Sequence, residues 1–167
     1  MLLWGARMRK SLISVGGSTK QTSLRENWKN LEVIARVEIS SEDANFPIEK
    51  ALGKEPTTGW RAAETGPQVI RLEFDEPQTI RRIYLHFVER ERERSQEFAV
   101  FAGWSGEMRE VVRQQWSFSP HGSTEEIEDY TVELDGITTL ELRIDPDRSH
   151  DPKMSQHHAS LQSLRLA

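Results

Sequence analysis

Trp60 and Arg61 are adjacent side chains whose types suit the recognition of a polar ring. An indole offers a flat apolar face on which a sugar ring can stack, and a guanidinium donates a fork of hydrogen bonds to hydroxyl groups. Tryptophan is also largely buried in most proteins. This favours a core position for Trp60 and leaves Arg61 as the stronger binding candidate.

Residues 115–122 bring together two aromatic side chains and a histidine. Trp116 and Phe118 have the same parity, so both point to one side if the chain is extended there. Aromatic residues dominate cores as well as binding surfaces, and both roles stay open for this pair. His121 follows in a segment with proline and glycine, as expected for a loop that carries a binding group.

Residues 89–94 read Glu-Arg-Glu-Arg-Glu-Arg, a strict alternation of charge. An extended chain would place the glutamates on one face and the arginines on the other. Such runs are most often solvated, so we expect an exposed hairpin tip. A row of arginines that grips an acidic partner is the alternative.

Sequence motifs for catalysis and metal binding are missing. There is no Gly-x-Ser-x-Gly, no glycine-rich phosphate loop and no His-Glu-x-x-His. His150-Asp151 and His157-His158 lie near Asp145 and Asp147, but their spacing fits no defined ligand set, which favours a solvated loop. We expect no catalytic residue, no metal ligand and no enzyme activity.

Composition restricts the partners and the compartment. The 167 residues carry a formal net charge of −5, which argues against nucleic acid, because phosphate binding needs a clustered basic face. No apolar run approaches the roughly 20 residues that cross a membrane, and the N-terminus lacks the apolar stretch of a secretion signal. With no cysteine in the chain, we expect a cytoplasmic protein without disulfides.

From about residue 31 the chain shows short segments with alternating apolar residues, which predict β-strands. Ser105-Gly106 and Asp135-Gly136 are typical of tight turns, and only residues 48–52 suggest a helical turn. The pattern predicts an all-β, antiparallel two-sheet sandwich at 31–167, after a partly flexible N-terminal extension at 1–30. The predicted strands are 32–39, 69–74, 83–87, 98–102, 108–116, 130–134, 140–144 and 161–166.

Four segments, in this order and spacing, resemble the discoidin family, also called coagulation-factor C-type domains and related to galactose-binding carbohydrate modules. They are residues 37–43, residues 51–60 with the closing Thr58-Gly59-Trp60, the pair 68–74 and 77–85, and residues 140–146. The resemblance covers about residues 32–166. It implies a galactose-binding-like jelly roll of about eight strands.

The resemblance also implies a structural calcium ion. It would place an Asp-Gly pair at Gly53-Lys54 and a glutamate where Ser163 stands, so both expected acids are absent. Calcium prefers several hard oxygen ligands, carboxylates among them. We expect no cofactor and no firmly bound calcium, although backbone carbonyl oxygens could hold an ion weakly.

These features predict a non-catalytic binding module for a carbohydrate or similar polar ligand, with its site in loops at one end of the sandwich. The alternative is an intracellular protein–protein interaction domain of the same fold, with residues 89–94 as a docking strip. The oligomeric state stays open. The candidate ligand-binding residues are Glu42, Trp60, Arg61, Trp116 and His121.

Overall fold

Strands dominate the computed structural model, which describes residues 27–54, 58–104, 106–149 and 156–167. Asn30–Leu166 form one compact unit. Of the predicted extension at 1–30, only residues 27–30 are among the described residues. Two one-turn helices occur in the described part, α1 (Leu31–Ile34) and α2 (Glu49–Leu52). The strands are β1 (Ala35–Ile39), β2 (Trp60–Thr65), β3 (Gln68–Val88), β4 (Arg94–Trp104), β5 (Glu107–Phe118), β6 (Glu125–Asp145), β7 (His158–Leu161) and β8 (Ser163–Leu166).

The strands pair antiparallel in the order β1-β3-β6-β4-β5, with β8 also on β3 and with β2 paired to β7. β3 and β6 are each 21 residues long. The first half of β3 pairs with β1 and the second half of β6, whereas its second half pairs with β8 and the first half of β6. Register shifts between Glu73 and Arg82 mark the bend at which these two strands pass from one layer to the other.

The predicted two-sheet antiparallel β-sandwich is confirmed, but several boundaries differ. Residues 31–34 form a helical turn before β1, and β2 was not predicted as a strand. The expected tight turn at Asp135-Gly136, which would have ended a strand, is wrong, because β6 continues through it. Gly136 adopts a positive φ of 68°, which glycine tolerates, and so lets the strand bend instead of reversing.

The core follows from the period-two alternation of the strands, which sends every second side chain inward. The rings of Phe87 and Phe98 stack with their centroids 5.1 Å apart. Full burial of a large apolar side chain contributes roughly 1.5–3 kcal/mol. The inward residues of the central strands are Ile70, Leu72, Phe74, Ile83, Leu85, Phe87, Phe98, Val100, Ala102, Leu140, Leu142 and Ile144.

The segment at Gly53-Lys54 does not suit calcium. The carbonyl oxygen of Lys54 accepts a hydrogen bond from Nη2 of Arg165 at 2.8 Å, which brings a positive charge to the loop. Ser163 is buried and offers only a hydroxyl group. The Glu32 carboxylate approaches Gly53, but the described residues contain no cluster of three or more acids or histidines that could hold a metal. No helix in the described part of the chain is long and apolar enough to cross a membrane.

We expect the thermal stability to be independent of calcium. An ion that binds only the folded state raises the melting temperature by mass action, so the shift reports binding. The melting temperatures measured in about 5 mM CaCl2 and in excess EDTA should differ by less than about 1 °C. A rise of several degrees with calcium would show that this loop holds the ion after all.

Candidate functional site

The pairing of β2 with β7 positions two outward side chains next to each other. Trp60 faces Leu161 and Arg61 faces Ser160 in this ladder. Because sides alternate along a strand, Trp60 and Leu161 turn into the core while Arg61 and Ser160 turn out of it. Trp60 is only 1% exposed, and its Nε1 donates to the carbonyl oxygen of Ser41 at 3.2 Å.

Gly59 allows the chain before β2 to approach the chain after β7. A side-chain carbon at this position would lie 2.6 Å from the carbonyl oxygen of Leu161 and 2.9 Å from Cα of Gln162. Its φ of 76° also lies in the region that favours glycine. The close approach of these two backbones therefore depends on glycine at this position.

Arg61 is held by the segment that precedes α2. Its N–H donates to the carbonyl oxygen of Phe46 at 3.1 Å, and its own carbonyl oxygen accepts from the N–H of Asp43 at 2.9 Å. The guanidinium carbon lies 4.7 Å from the centre of the Phe46 ring. This cation–π stack leaves the edge of the guanidinium, where its N–H groups lie, available to donate hydrogen bonds.

The connection between β3 and β4 is shaped by one carboxylate, that of Glu89. Its Oε2 accepts from the backbone N–H groups of Glu91 and Arg92 at 3.1 and 3.3 Å. Its Oε1 accepts from Nε of Arg94 at 2.8 Å. Burial acts to raise the pKa of Glu89, but these hydrogen bonds outweigh it and hold the pKa below its usual range.

The side chain of Arg94 lies inside the sandwich and is 1% exposed. Besides Glu89, its guanidinium donates to Oε1 of Gln96 at 3.1 Å and to the carbonyl oxygen of Pro146 at 2.9 Å. Its carbon lies 4.8 Å from the centre of the Phe118 ring. A buried charge must be paired and hydrogen-bonded to be tolerated, and Arg94 meets both conditions.

These segments enclose a cavity of about 360 Å³, near the lower end of the roughly 300–1,000 Å³ of small-molecule sites. Polar side chains dominate its lining. The cavity is lined by Phe46, Thr58, Trp60, Arg61, Val88, Glu89, Arg90, Glu91, Arg92, Gln156, His157, His158, Ser160, Leu161 and Gln162.

Two histidines of this lining differ in environment. His158 is exposed, and its Nδ1 lies 3.0 Å from the carbonyl oxygen of Ala62. A carbonyl oxygen can only accept, so Nδ1 of His158 carries a proton and donates in this contact. His157 is buried, with Nε2 3.8 Å from Oδ2 of Asp147, and desolvation lowers its pKa despite that carboxylate.

Glu126 is linked to Arg94 through the side chain of Gln96, which accepts from Arg94 and donates to Glu126. It is fully buried, its Oε1 accepts from Nε2 of Gln96 at 3.1 Å, and its Oε2 has no partner among the described residues. Burial, together with the nearby charge of Glu128, raises the pKa of Glu126 to about 7. This carboxyl group is therefore partly protonated at neutral pH.

The five predicted site residues do not come together. Arg61 lies in the cavity, whereas Trp60 closes the core behind it and is no exposed platform for a ring. Glu42 accepts from the N–H of Ile48 at 2.7 Å and so holds the start of α2. Trp116 packs on the core, and His121 is exposed; neither is a lining residue of the cavity.

Sequence reasoning missed the roles of Arg94 and of His157. Arg94 was assigned to a solvated tip, yet it has the same parity as Gln96, Phe98 and Val100, which all face inward. That parity was the available signal. His157 was assigned to a solvated loop and is buried; its burial comes from tertiary packing, for which the local sequence gives no sign.

Comparisons with known proteins show relatives in structure but not in sequence. No protein-family model and no curated protein matches this chain. The family 32 carbohydrate-binding module of C. perfringens NanJ, in complex with galactose, matches with a TM-score of 0.59 over 83% of this chain and 96% of that one, at 14% identity. A pectin-binding carbohydrate-binding module matches at 0.54 over 80% and 89%, at 18% identity. The family 32 module of AlyQ, in complex with 4,5-unsaturated mannuronic acid, matches at 0.52 over 80% and 95%, at 19% identity.

This chain has the discoidin-like, galactose-binding-like fold. The resemblance drawn from the four sequence segments is thereby confirmed at the level of the fold. With identities of 14–19%, the likeness to these carbohydrate-binding modules does not by itself carry their ligands over.

Replacing Arg94 with methionine should destabilise the domain by at least about 3 kcal/mol in urea unfolding, because it leaves the half-buried carboxylate of Glu89 and the Pro146 carbonyl without their donor. Arg113→Met is the matched control, since Arg113 pairs with Glu97 and Glu110 at the exposed surface. Loss of such surface pairs costs about 1 kcal/mol or less. Equal losses in the two variants would contradict the role given to Arg94.

Glu126→Gln should stabilise the domain at high pH. As pH rises from the unfolded pKa of about 4.5 towards the folded pKa of about 7, the unfolded chain releases the proton first, so the free energy of unfolding falls and stays lower above pH 7. The amide removes this loss, on the order of 3 kcal/mol at pH 8, and changes little at pH 4. Glu133→Gln, at an exposed site of the same strand, is the control. A constant difference between wild type and Glu126→Gln from pH 4 to 8 would refute the assignment.

Proposed function

We propose that this protein is a non-catalytic carbohydrate-binding module whose site is the cavity beside Arg61. The observation that carries the proposal is the stack of Arg61 on Phe46 at the wall of a cavity of about 360 Å³. A space of this size suits one or two sugar rings. Its lining is mainly polar, as the recognition of hydroxyl groups requires.

The donors and acceptors around Arg61 match the chemistry of a sugar. A sugar hydroxyl both donates and accepts, so it needs partners of both kinds. Arg61 supplies donors, Ser160 and Gln156 supply groups that do both, and the neutral form of the His158 ring, with Nδ1 bonded to Ala62, supplies an acceptor at Nε2. The aromatic ring of Phe46 adds an apolar surface for the C–H face of a sugar ring.

The ligands of the structural neighbours described above support this function. Galactose and 4,5-unsaturated mannuronic acid are bound by two of them, and a third is described as pectin-binding. The protein-interaction alternative is not favoured by these three structures and stays a prediction.

A binding rather than a catalytic role is supported by the state of the lining carboxylates. Glycoside hydrolysis uses two facing acids, one of them protonated and free to donate. Glu89 is ionised and engaged by Arg94 and two backbone N–H groups. Among the described lining residues, Glu91 is the one other carboxylate, so they offer no pair of free acids.

We expect a glycan array to yield ligands for the wild-type protein, with dissociation constants between about 10 μM and a few mM, as befits a single shallow site. Arg61→Ala should weaken the best of these ligands at least about tenfold in calorimetry, because hydrogen bonds from a charged donor are lost. Arg109→Ala, at an exposed site outside the cavity, should bind like wild type.

Either of two results would refute this proposal. One is a folded protein that binds no glycan of a broad array. The other is a ligand whose affinity Arg61→Ala leaves unchanged.

A further inference from the structure

The arginines that line the cavity differ from most other described arginines in how they are paired. Within the described residues, Arg61, Arg90 and Arg92 form no ion pair with a carboxylate. Most of the other arginines have such a partner within 4.0 Å. Those paired arginines are Arg36, Arg71, Arg81, Arg82, Arg94, Arg113, Arg143 and Arg148.

The carboxylates in the lining do not cancel this positive charge. Glu89 is neutralised from inside the sandwich by the buried guanidinium of Arg94. That leaves the charge of Glu91 against those of Arg61, Arg90 and Arg92. Among the described lining residues, positive charges therefore outnumber unpaired negative ones, on a chain whose formal net charge is −5. A concave site that carries an excess of one charge attracts a ligand of the opposite charge.

The backbone that carries two of these arginines is fixed in advance. Oε2 of Glu89 accepts from the N–H groups of Glu91 and Arg92, and the N–H of Glu89 donates to the carbonyl oxygen of Thr124 at 2.8 Å. A preorganised segment loses less conformational entropy when it binds a ligand. The chain bends at residues 90 and 91, and both Arg90 and Arg92 line the cavity, so both are placed near a ligand held there.

We propose that the cavity selects sugars that bear a carboxylate, the uronic acids, over neutral sugars of the same shape. This inference rests on the proposed carbohydrate function and names the ligand class of that site. The planar fork of a guanidinium matches the two oxygens of a carboxylate, which a neutral hydroxymethyl group cannot replace. Arg61 would serve both kinds of sugar through their hydroxyl groups, whereas Arg90 and Arg92 would serve the carboxylate.

The test is a calorimetric comparison of methyl α-D-galacturonoside, its methyl ester and methyl α-D-galactoside on the full chain. The three share the ring and its C2, C3 and C4 hydroxyl groups and differ at C6, where only the first is charged. We expect it to bind at least about tenfold more tightly than the other two, and to lose this advantage as NaCl rises from about 50 to 500 mM. A galactoside 6-sulfate is a fourth arm, and binding equal to that of the galacturonoside would overturn the choice of carboxylate over other anions.

Variants connect the preference to the two arginines. The double variant Arg90→Gln/Arg92→Gln should bring the galacturonoside down to the affinity of its ester and leave the galactoside within about twofold of wild type. Arg109→Gln, which removes one positive charge outside the cavity, should preserve the preference. Both variants lie at exposed positions, and their melting curves confirm folding.

The outcomes separate this inference from the proposed function. Equal binding of acid, ester and galactoside, all weakened by Arg61→Ala, would overturn the uronate preference and keep the carbohydrate function. No binding of any of them would overturn the uronate preference, and the glycan array would then decide the carbohydrate function by itself. A preference for the acid that survives in the double variant would overturn the assignment to Arg90 and Arg92.

Discussion

The guanidinium of Arg94 ties together segments that the sheet alone would not hold in place. From inside the sandwich it reaches Glu89 after β3, Gln96 on β4, the ring of Phe118 at the end of β5 and the carbonyl of Pro146 after β6. A charge in this position is stable only because each of these groups partners it. The connection 89–93 takes its shape from Glu89, and Glu89 takes its position from Arg94. The cavity therefore depends on an interaction beneath its surface.

Strand alternation then decides which groups face the cavity. In β2 the same periodicity that buries Trp60 exposes Arg61, and the ladder with β7 brings Ser160 beside it. Gly59 lets the two backbones approach closely enough for this pairing. The apolar core and the polar site are thus two faces of the same short strands. A change in register of one residue would exchange them.

The fold was predictable because its signal is local and repeated. Alternation in residues 69–74, 83–87 and 140–144 gave the strands, and their number and spacing gave the sandwich. The site was far less predictable. Arg61 was found from its neighbour Trp60, but Trp116 and His121 were proposed from composition and lie outside the cavity. The contributions of residues 89–92 and 156–158 arise from contacts between segments distant in sequence, which no local pattern records. The charge alternation of 89–94 predicted a solvated tip, although the parity of Arg94 with Gln96 and Phe98 indicated that its side chain faces inward.

The central claim is that a sugar binds in the cavity beside Arg61. The most direct test is a ¹H–¹⁵N NMR titration of the labelled protein with methyl α-D-galacturonoside. The account predicts saturable shifts concentrated at the backbone amides of Arg61, Arg92 and Ser160 and of their neighbours. Shifts that cluster instead at the separate groove lined by Trp104, Met108 and Leu134, or that are absent at millimolar ligand, would contradict it.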